Sequence, residues 1–387
     1  MKTVIKLVLL AVIYLSFISL GLPDSLLGSA WPVMQPMFGV PISSMGIVTM
    51  IISGATILSS LFAARLTARF GTGKVTLVSV FLTAAALFGF STASQFGLLC
   101  VWAIPYGLGA GAIDAALNNY VALHFSSRHM SWLHCFWGVG TIVSPYIMSY
   151  ALRHTHWQDG YRTVSLIQTG IVVVLLLTLS LWKKDKGTEE SMAALRLKDV
   201  LKIHGVSTLL IGFFCYCAAE STVMLWASSY LVHVRGVSEE RAAAFASLFF
   251  IGITAGRFLA GFVSERLGDR NLIRLGTCII AVGIVCVLLP LKTDFFALAG
   301  FVVIGFGCAP IYPSIIHATP SNFGEKNSQS IIGIQMASAY VGSTFMPPLF
   351  GLLAQYVDMR LLPIYLAVFF TAMIFLVEKT FRTVKEH

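Results

Sequence analysis

The sequence predicts an all-α membrane protein in which twelve apolar spans form two pseudo-symmetric six-helix bundles. Three observations predict it. Of 387 residues, 57% are hydrophobic and 11% charged, against about 25% charged residues in soluble domains. Mean hydropathy is +0.83, too apolar for a chain that must cover its core with a polar shell. The apolar residues also gather into runs of membrane-crossing length, and the second half of the chain repeats features of the first in the same order. This composition excludes an ordinary soluble enzyme, a nucleic-acid-binding domain and a disordered chain.

A membrane helix needs about 20 largely apolar residues. Cutting the chain at charges, Pro/Gly turns and polar clusters gives spans near 7–34, 43–68, 74–92, 97–123, 130–152 and 162–182, then 205–232, 240–265, 271–290, 295–318, 328–356 and 361–379. The first is too long for the apolar core of a signal peptide and is read as a span. It contains Gly21-Leu22-Pro23-Asp24, a helix-break signal. Most connections are short. The exception, Lys183 to His204, is rich in charge and divides the chain into an N-terminal bundle (1–183), a linker (184–204) and a C-terminal bundle (205–387). Within the linker, Met192 to Lys202 fits a short amphipathic helix on the membrane surface.

The net charge of +9 follows from topology rather than from a nucleic-acid partner. With the N-terminus in the cytoplasm, the outer loops hold only Arg153, Arg162, Arg235, Arg241, Lys292 and Arg360, and most other Lys and Arg fall inside. That asymmetry places both termini in the cytoplasm, as expected of a plasma (inner) membrane protein. All seven Cys lie in apolar runs without metal-ligand spacing, so they are read as packing residues. No metal, cofactor or nucleophile–base pair is indicated, and no enzyme activity is expected.

The halves repeat. Ala64 to Gly71 after the second span matches Gly261 to Gly268 after the eighth. Tyr106-Gly-Leu-Gly-Ala-Gly-Ala-Ile-Asp114 in the fourth span aligns with Ile304-Gly-Phe-Gly-Cys-Ala-Pro-Ile-Tyr312 in the tenth. Gly140 and Pro145 in the fifth are spaced as Gly342 and Pro347 in the eleventh. Internal repeats of this kind are a transporter signature. The Gly261-x-x-x-Glu265-Arg266-x-Gly268 stretch resembles the loop motif of the major facilitator superfamily. The resemblance implies the major facilitator fold and a gate formed at this loop, with Arg69, Glu265, Arg266 and Arg257 as the gating set. The first-half copy departs from the motif, with Ala64 and Ala68 where Gly and an acid are usual.

Three acids fall within spans: Asp24, Asp114 and Glu220. An acid at mid-helix costs roughly 2.5–3.5 kcal/mol on insertion scales, so it faces a cavity or a partner and marks an ion or substrate path. Arg257 is the one cation deep in a span; it pairs with an acid or with helix-end carbonyls, or clamps an anionic substrate. Asp24, Asp114 and Glu220 are therefore candidate proton-coupling groups, with Asp24 open to the alternative that it caps a broken helix. Asn118 lies one turn from Asp114 and Asn119 follows it; amides carry donor and acceptor together and suit a polyhydroxylated ligand. Trp137 and Tyr216 offer flat faces for a sugar ring. His134, Tyr312, Gln329 and Gln335 complete the candidate substrate-binding set, His134 being open to a packing role.

An acid in the first span, Asp114 with its Asn neighbours in the fourth and Cys217-Ala-Ala-Glu220 in the seventh resemble the fucose/galactose/glucose symporter group. Leu133 to Gly140, Gly305 to Pro313 and Met346-Pro-Pro348 are similar to its sodium-dependent glucose transporter relatives. This resemblance implies a monomeric symporter of a sugar or similar polyol working by alternating access, embedded in membrane lipid and driven by H⁺, with Na⁺ as the alternative ion. Asp24 would relay the proton and Asp114 would couple it to the sugar. The competing expectation is a proton-driven antiporter exporting an amphipathic compound.

Overall fold

The computed structural model describes residues 2–41, 44–182, 197–237, 239–289 and 294–384. Among these residues it contains helices and turns, and no strand. In chain order the helices are α1 (Lys2–Gly21), α2 (Leu26–Phe38), α3 (Met45–Phe70), α4 (Thr72–Thr92), α5 (Phe96–His124), α6 (Ser127–His154), α7 (Trp157–Thr178), α8 (Leu197–Val200), α9 (Val206–Arg235), α10 (Glu239–Leu288), α11 (Phe295–Cys308), α12 (Ile311–Phe323), α13 (Glu325–Leu353) and α14 (Leu362–Thr383).

Helix lengths recover the twelve spans. α10 has 50 residues; at 1.5 Å per residue that is about 75 Å, more than twice the hydrocarbon thickness. It is two spans joined at Gly268, whose φ of 73° and ψ of 160° are not helical. The continuous apolar stretch Glu325–Thr383 likewise holds α13 and α14. The first span is α1 followed by α2, broken at Leu22–Ser25 as the Gly-x-Pro-Asp signal predicts. The tenth span is also broken, into α11 and α12 around Ala309–Pro310. Pro310 lacks the amide hydrogen that helix continuation needs. The short helix expected at Met192–Lys202 falls partly outside the described residues; its described part includes the single turn α8.

The chain divides into two compact units, Met1–Tyr120 with Phe136–Leu195, and Val121–Cys135 with Arg196–His387. In the first, an apolar cluster from α1 through α7, with Leu26, Met34, Leu99, Met148 and Trp157 nearly inaccessible, fills the end that holds the α1–α2 break.

Glycine spacing sets the helix crossings. A Cβ at Gly107 would collide with the Ile52 carbonyl of α3, and one at Gly109 with the Ser79 carbonyl of α4. So α5 is wedged between two neighbours at backbone contact, a packing that only small residues allow. The second unit reproduces this crossing. A Cβ at Gly305 would collide with the Phe249 carbonyl and one at Gly307 with the Gly276 carbonyl. Gly140 against Ile18 in the first unit has its counterpart in Gly342 against Phe214 in the second. The sequence repeat is thus a repeat of backbone contacts.

Candidate functional site: interior acids and their partners

Asp24 sits in the turn between α1 and α2. Its Oδ1 accepts from the Tyr106 hydroxyl of α5 at 2.9 Å, and its Oδ2 accepts from Trp137 Nε1 of α6 at 2.9 Å. Local packing explains both bonds. Gly21 and Gly140 let α1 and α6 touch, since a Cβ at Gly21 would strike the Trp137 carbonyl; Trp137 is thereby held beside the break. Asp24 is exposed despite its place in the bundle. It opens on a cavity of about 180 Å³ lined by Thr49, Ser53, Tyr106, Tyr161 and apolar side chains. The Tyr161 hydroxyl is buried there without a hydrogen-bond partner. The protein thus gives this carboxylate two neutral donors and access to water.

Asp114 lies eight residues beyond Tyr106 on α5, about 12 Å along the axis. It is buried, and Asn118 Nδ2 donates to its Oδ1 at 2.7 Å and to its carbonyl at 2.9 Å. Asn119 is buried beside it. The Asp24 side chain makes its hydrogen bonds to Tyr106 and Trp137, so the two acids do not share one. Gln168, on α7, donates to the Ser19 carbonyl of α1 at 2.7 Å. Trp31 is packed in the core against Phe96.

The acid of the second unit is held differently. Glu220 is buried on α9, where Tyr216 lies one turn earlier and donates to Glu220 Oε1 at 2.8 Å. The same hydroxyl is within 2.9 Å of the Cys308 carbonyl, at the end of α11 where the tenth span breaks. Arg257 Nη2 of α10 stands 3.6 Å from Glu220 Oε1, with both side chains almost wholly buried. Arg257, grouped with the gate from the sequence, therefore belongs to this interior cluster. His134 packs edge-on against Tyr312 with ring centroids 4.8 Å apart. The Tyr312 hydroxyl contacts Met336 Sδ at 3.3 Å. Gln335 is fully buried and accepts from Thr319 at 3.1 Å, and Gln329 is buried on the same helix.

Of the other residues grouped with a gate from the sequence, Glu265 accepts from Ser126 at 2.7 Å and from Arg128 at 3.0 Å, clasping the turn between α5 and α6. His317 of α12 reinforces that clasp, with Nδ1 2.7 Å from Asp269 and Nε2 3.3 Å from the Phe125 carbonyl. The Arg69 guanidinium lies 5.4 Å from the Phe70 ring, and Arg266 is exposed. Sequence reasoning missed Tyr106, Tyr161, Arg128 and His317. Tyr106 stood in the repeated Gly-rich run, where attention fell on the glycines. Among the described residues no group of three or more His, Cys, Asp and Glu is placed to hold a metal ion.

Similarity to known proteins agrees with this architecture. A family model described as Major Facilitator Superfamily matches residues 13–238 and 209–386. The chain is 22% identical to bypass of stop codon protein 6 of Saccharomyces cerevisiae, over 90% of this chain and 77% of that one. It is 23% identical to the glucose/mannose transporter GlcP of Bacillus subtilis, over 71% of this chain and 69% of that one. Its fold superposes on the Escherichia coli fucose:proton symporter FucP with a TM-score of 0.76 at 15% identity, covering 96% and 97% of the two chains. With twelve spans and a family match in both halves, the chain belongs to the Major Facilitator Superfamily, as a multi-pass membrane transporter and not an enzyme.

Proposed function

We propose that the chain is a proton-coupled symporter of a sugar or similar polyol, acting by alternating access as a monomer in the inner membrane with both termini cytoplasmic. The observation that carries this reading is the setting of Asp24: a carboxylate in a helix break, held by two neutral donors and touching a cavity that has room for water. Such a group can take up and release a proton, because no fixed cation holds it in the charged form. Asp114 with Asn118 and Asn119 supplies carboxylate and amide groups for hydroxyl recognition. Sugar specificity is also supported by likeness to a glucose/mannose transporter and a fucose:proton symporter.

The test is uptake of labelled glucose, mannose, fucose and xylose into proteoliposomes with the outside acid. Wild-type protein should accumulate at least one of them and carry protons with it. Asp24→Asn and Asp114→Asn should abolish accumulation, with Asp24→Asn keeping exchange of substrate down its gradient. Accumulation that persists in Asp24→Asn, or that follows a Na⁺ gradient instead, would refute proton coupling at this site. Export of amphipathic cations with no sugar transport would refute the substrate class.

A further inference from the structure

The cavity beside Asp24 lies wholly within the first unit. Its polar lining comes from Asp24, Thr49, Ser53, Tyr106 and Tyr161. Thr49 and Ser53 stand in the first turns of α3, Tyr161 in the first turns of α7 and Tyr106 near the start of α5. Because successive spans alternate in direction, these helix starts share one end of the unit, opposite the end where α1 begins. With the N-terminus cytoplasmic, that end faces outward. Asp114, by contrast, is two turns further along α5 and outside the lining.

We propose that this cavity is a hydrated proton entry to Asp24, separate from the substrate contacts at Asp114. Two independent observations point to water there. The volume of about 180 Å³ holds several molecules at about 30 Å³ each. The Tyr161 hydroxyl is buried without a partner, and a water in the cavity is the partner it lacks. Two more hydroxyls, those of Thr49 and Ser53, line the same space, so a water has the polar contacts it needs. The titratable groups lining the cavity with Asp24 are Tyr106 and Tyr161. The step is one proton transfer: a hydronium in the cavity gives its proton to the Asp24 carboxylate, leaving water and a neutral carboxyl group. The inference rests on the reading of Asp24 as the proton-coupling acid and adds the route by which the proton arrives.

Time-resolved infrared spectroscopy after an acid pH jump tests this without a substrate. The Asp24 carboxyl band is identified in purified wild-type protein as the component missing from Asp24→Asn. Ser53→Leu and Thr49→Leu plug the cavity, and each should slow the rise of that band by an order of magnitude. Tyr161→Phe keeps the packing and removes one water contact, so it should slow the rise by a smaller factor. Wild-type rates in both plugged variants, with native size-exclusion profiles and melting, would overturn the entry route. Should the plugs fail to fold, a wild-type rate in Tyr161→Phe overturns it instead. If Asp24→Asn removes no band, it is the proton-coupling reading of Asp24 that fails, and this route with it.

Discussion

The two units solve the same problem in opposite ways. Each carries an acid in its opening span, Asp24 in the first and Glu220 in the second. Asp24 has two neutral donors and water access. Glu220 has a tyrosine and a guanidinium and is buried. A carboxylate without a fixed counter-charge can change its protonation state as its surroundings change. Removing one member of a buried acid–cation pair is costly, because the other member stays buried. The difference teaches that acids in the opening spans of two repeated units can be given unlike partners, neutral donors in one and a guanidinium in the other.

The contrast can be broken most forcefully at Arg257. Arg257→Met leaves Glu220 buried and uncompensated, and should cost about 3–5 kcal/mol, read as a large drop in the thermal midpoint of the purified protein. The double variant Glu220→Gln/Arg257→Met should recover most of that loss. A double variant no more stable than the single would show that the two groups do not form a unit.

Tyr216→Phe comes next. It removes a hydrogen bond to a buried charged group, worth about 1.5–3 kcal/mol, and the same melting experiment reads it. Asp24→Asn and Tyr106→Phe should each change stability by about 1 kcal/mol or less, because cavity water can replace the lost contact. Finding Tyr106→Phe as damaging as Tyr216→Phe would erase the proposed distinction between a wet acid and a dry one. The smallest effect is expected at the exposed Arg128–Glu265 pair, where both side chains are more than a third accessible. Arg128→Gln should cost about 0–1 kcal/mol, with the difference shrinking as salt rises.

Much of the fold was legible in the sequence because it is written in local patterns. Apolar runs mark spans, and a Gly-x-Pro-Asp stretch marks the break in the first. Gly268 closes a motif that ends one span and starts the next. The break in the tenth span was less legible, since Pro310 sits in a run with no polar residue beside it. The candidate acids were legible too, being charges where charges are costly. Their partners were not. Trp137 reads from sequence as a flat face for a ligand, and only its position against Gly21 shows its N–H turned toward Asp24. The Glu220–Arg257 pair joins two different helices, and nothing in the local pattern of either says which cation meets which acid. Tyr161 is one tyrosine among 12, and only the closing of the bundle makes its hydroxyl distinctive.

The matched glycine crossings bear on descent. Gly107 with Ile52 and Gly109 with Ser79 reappear as Gly305 with Phe249 and Gly307 with Gly276, although the touching residue on the partner helix is a different amino acid each time. Only the side without a Cβ is held fixed. If one ancestral gene was copied and fused to itself, the copies have since drifted freely wherever a backbone carbonyl makes the contact. The same drift put Tyr312 at the place in the sequence repeat that Asp114 holds in the first half. A lineage can therefore rewrite interior side chains of one half while the crossings keep its frame.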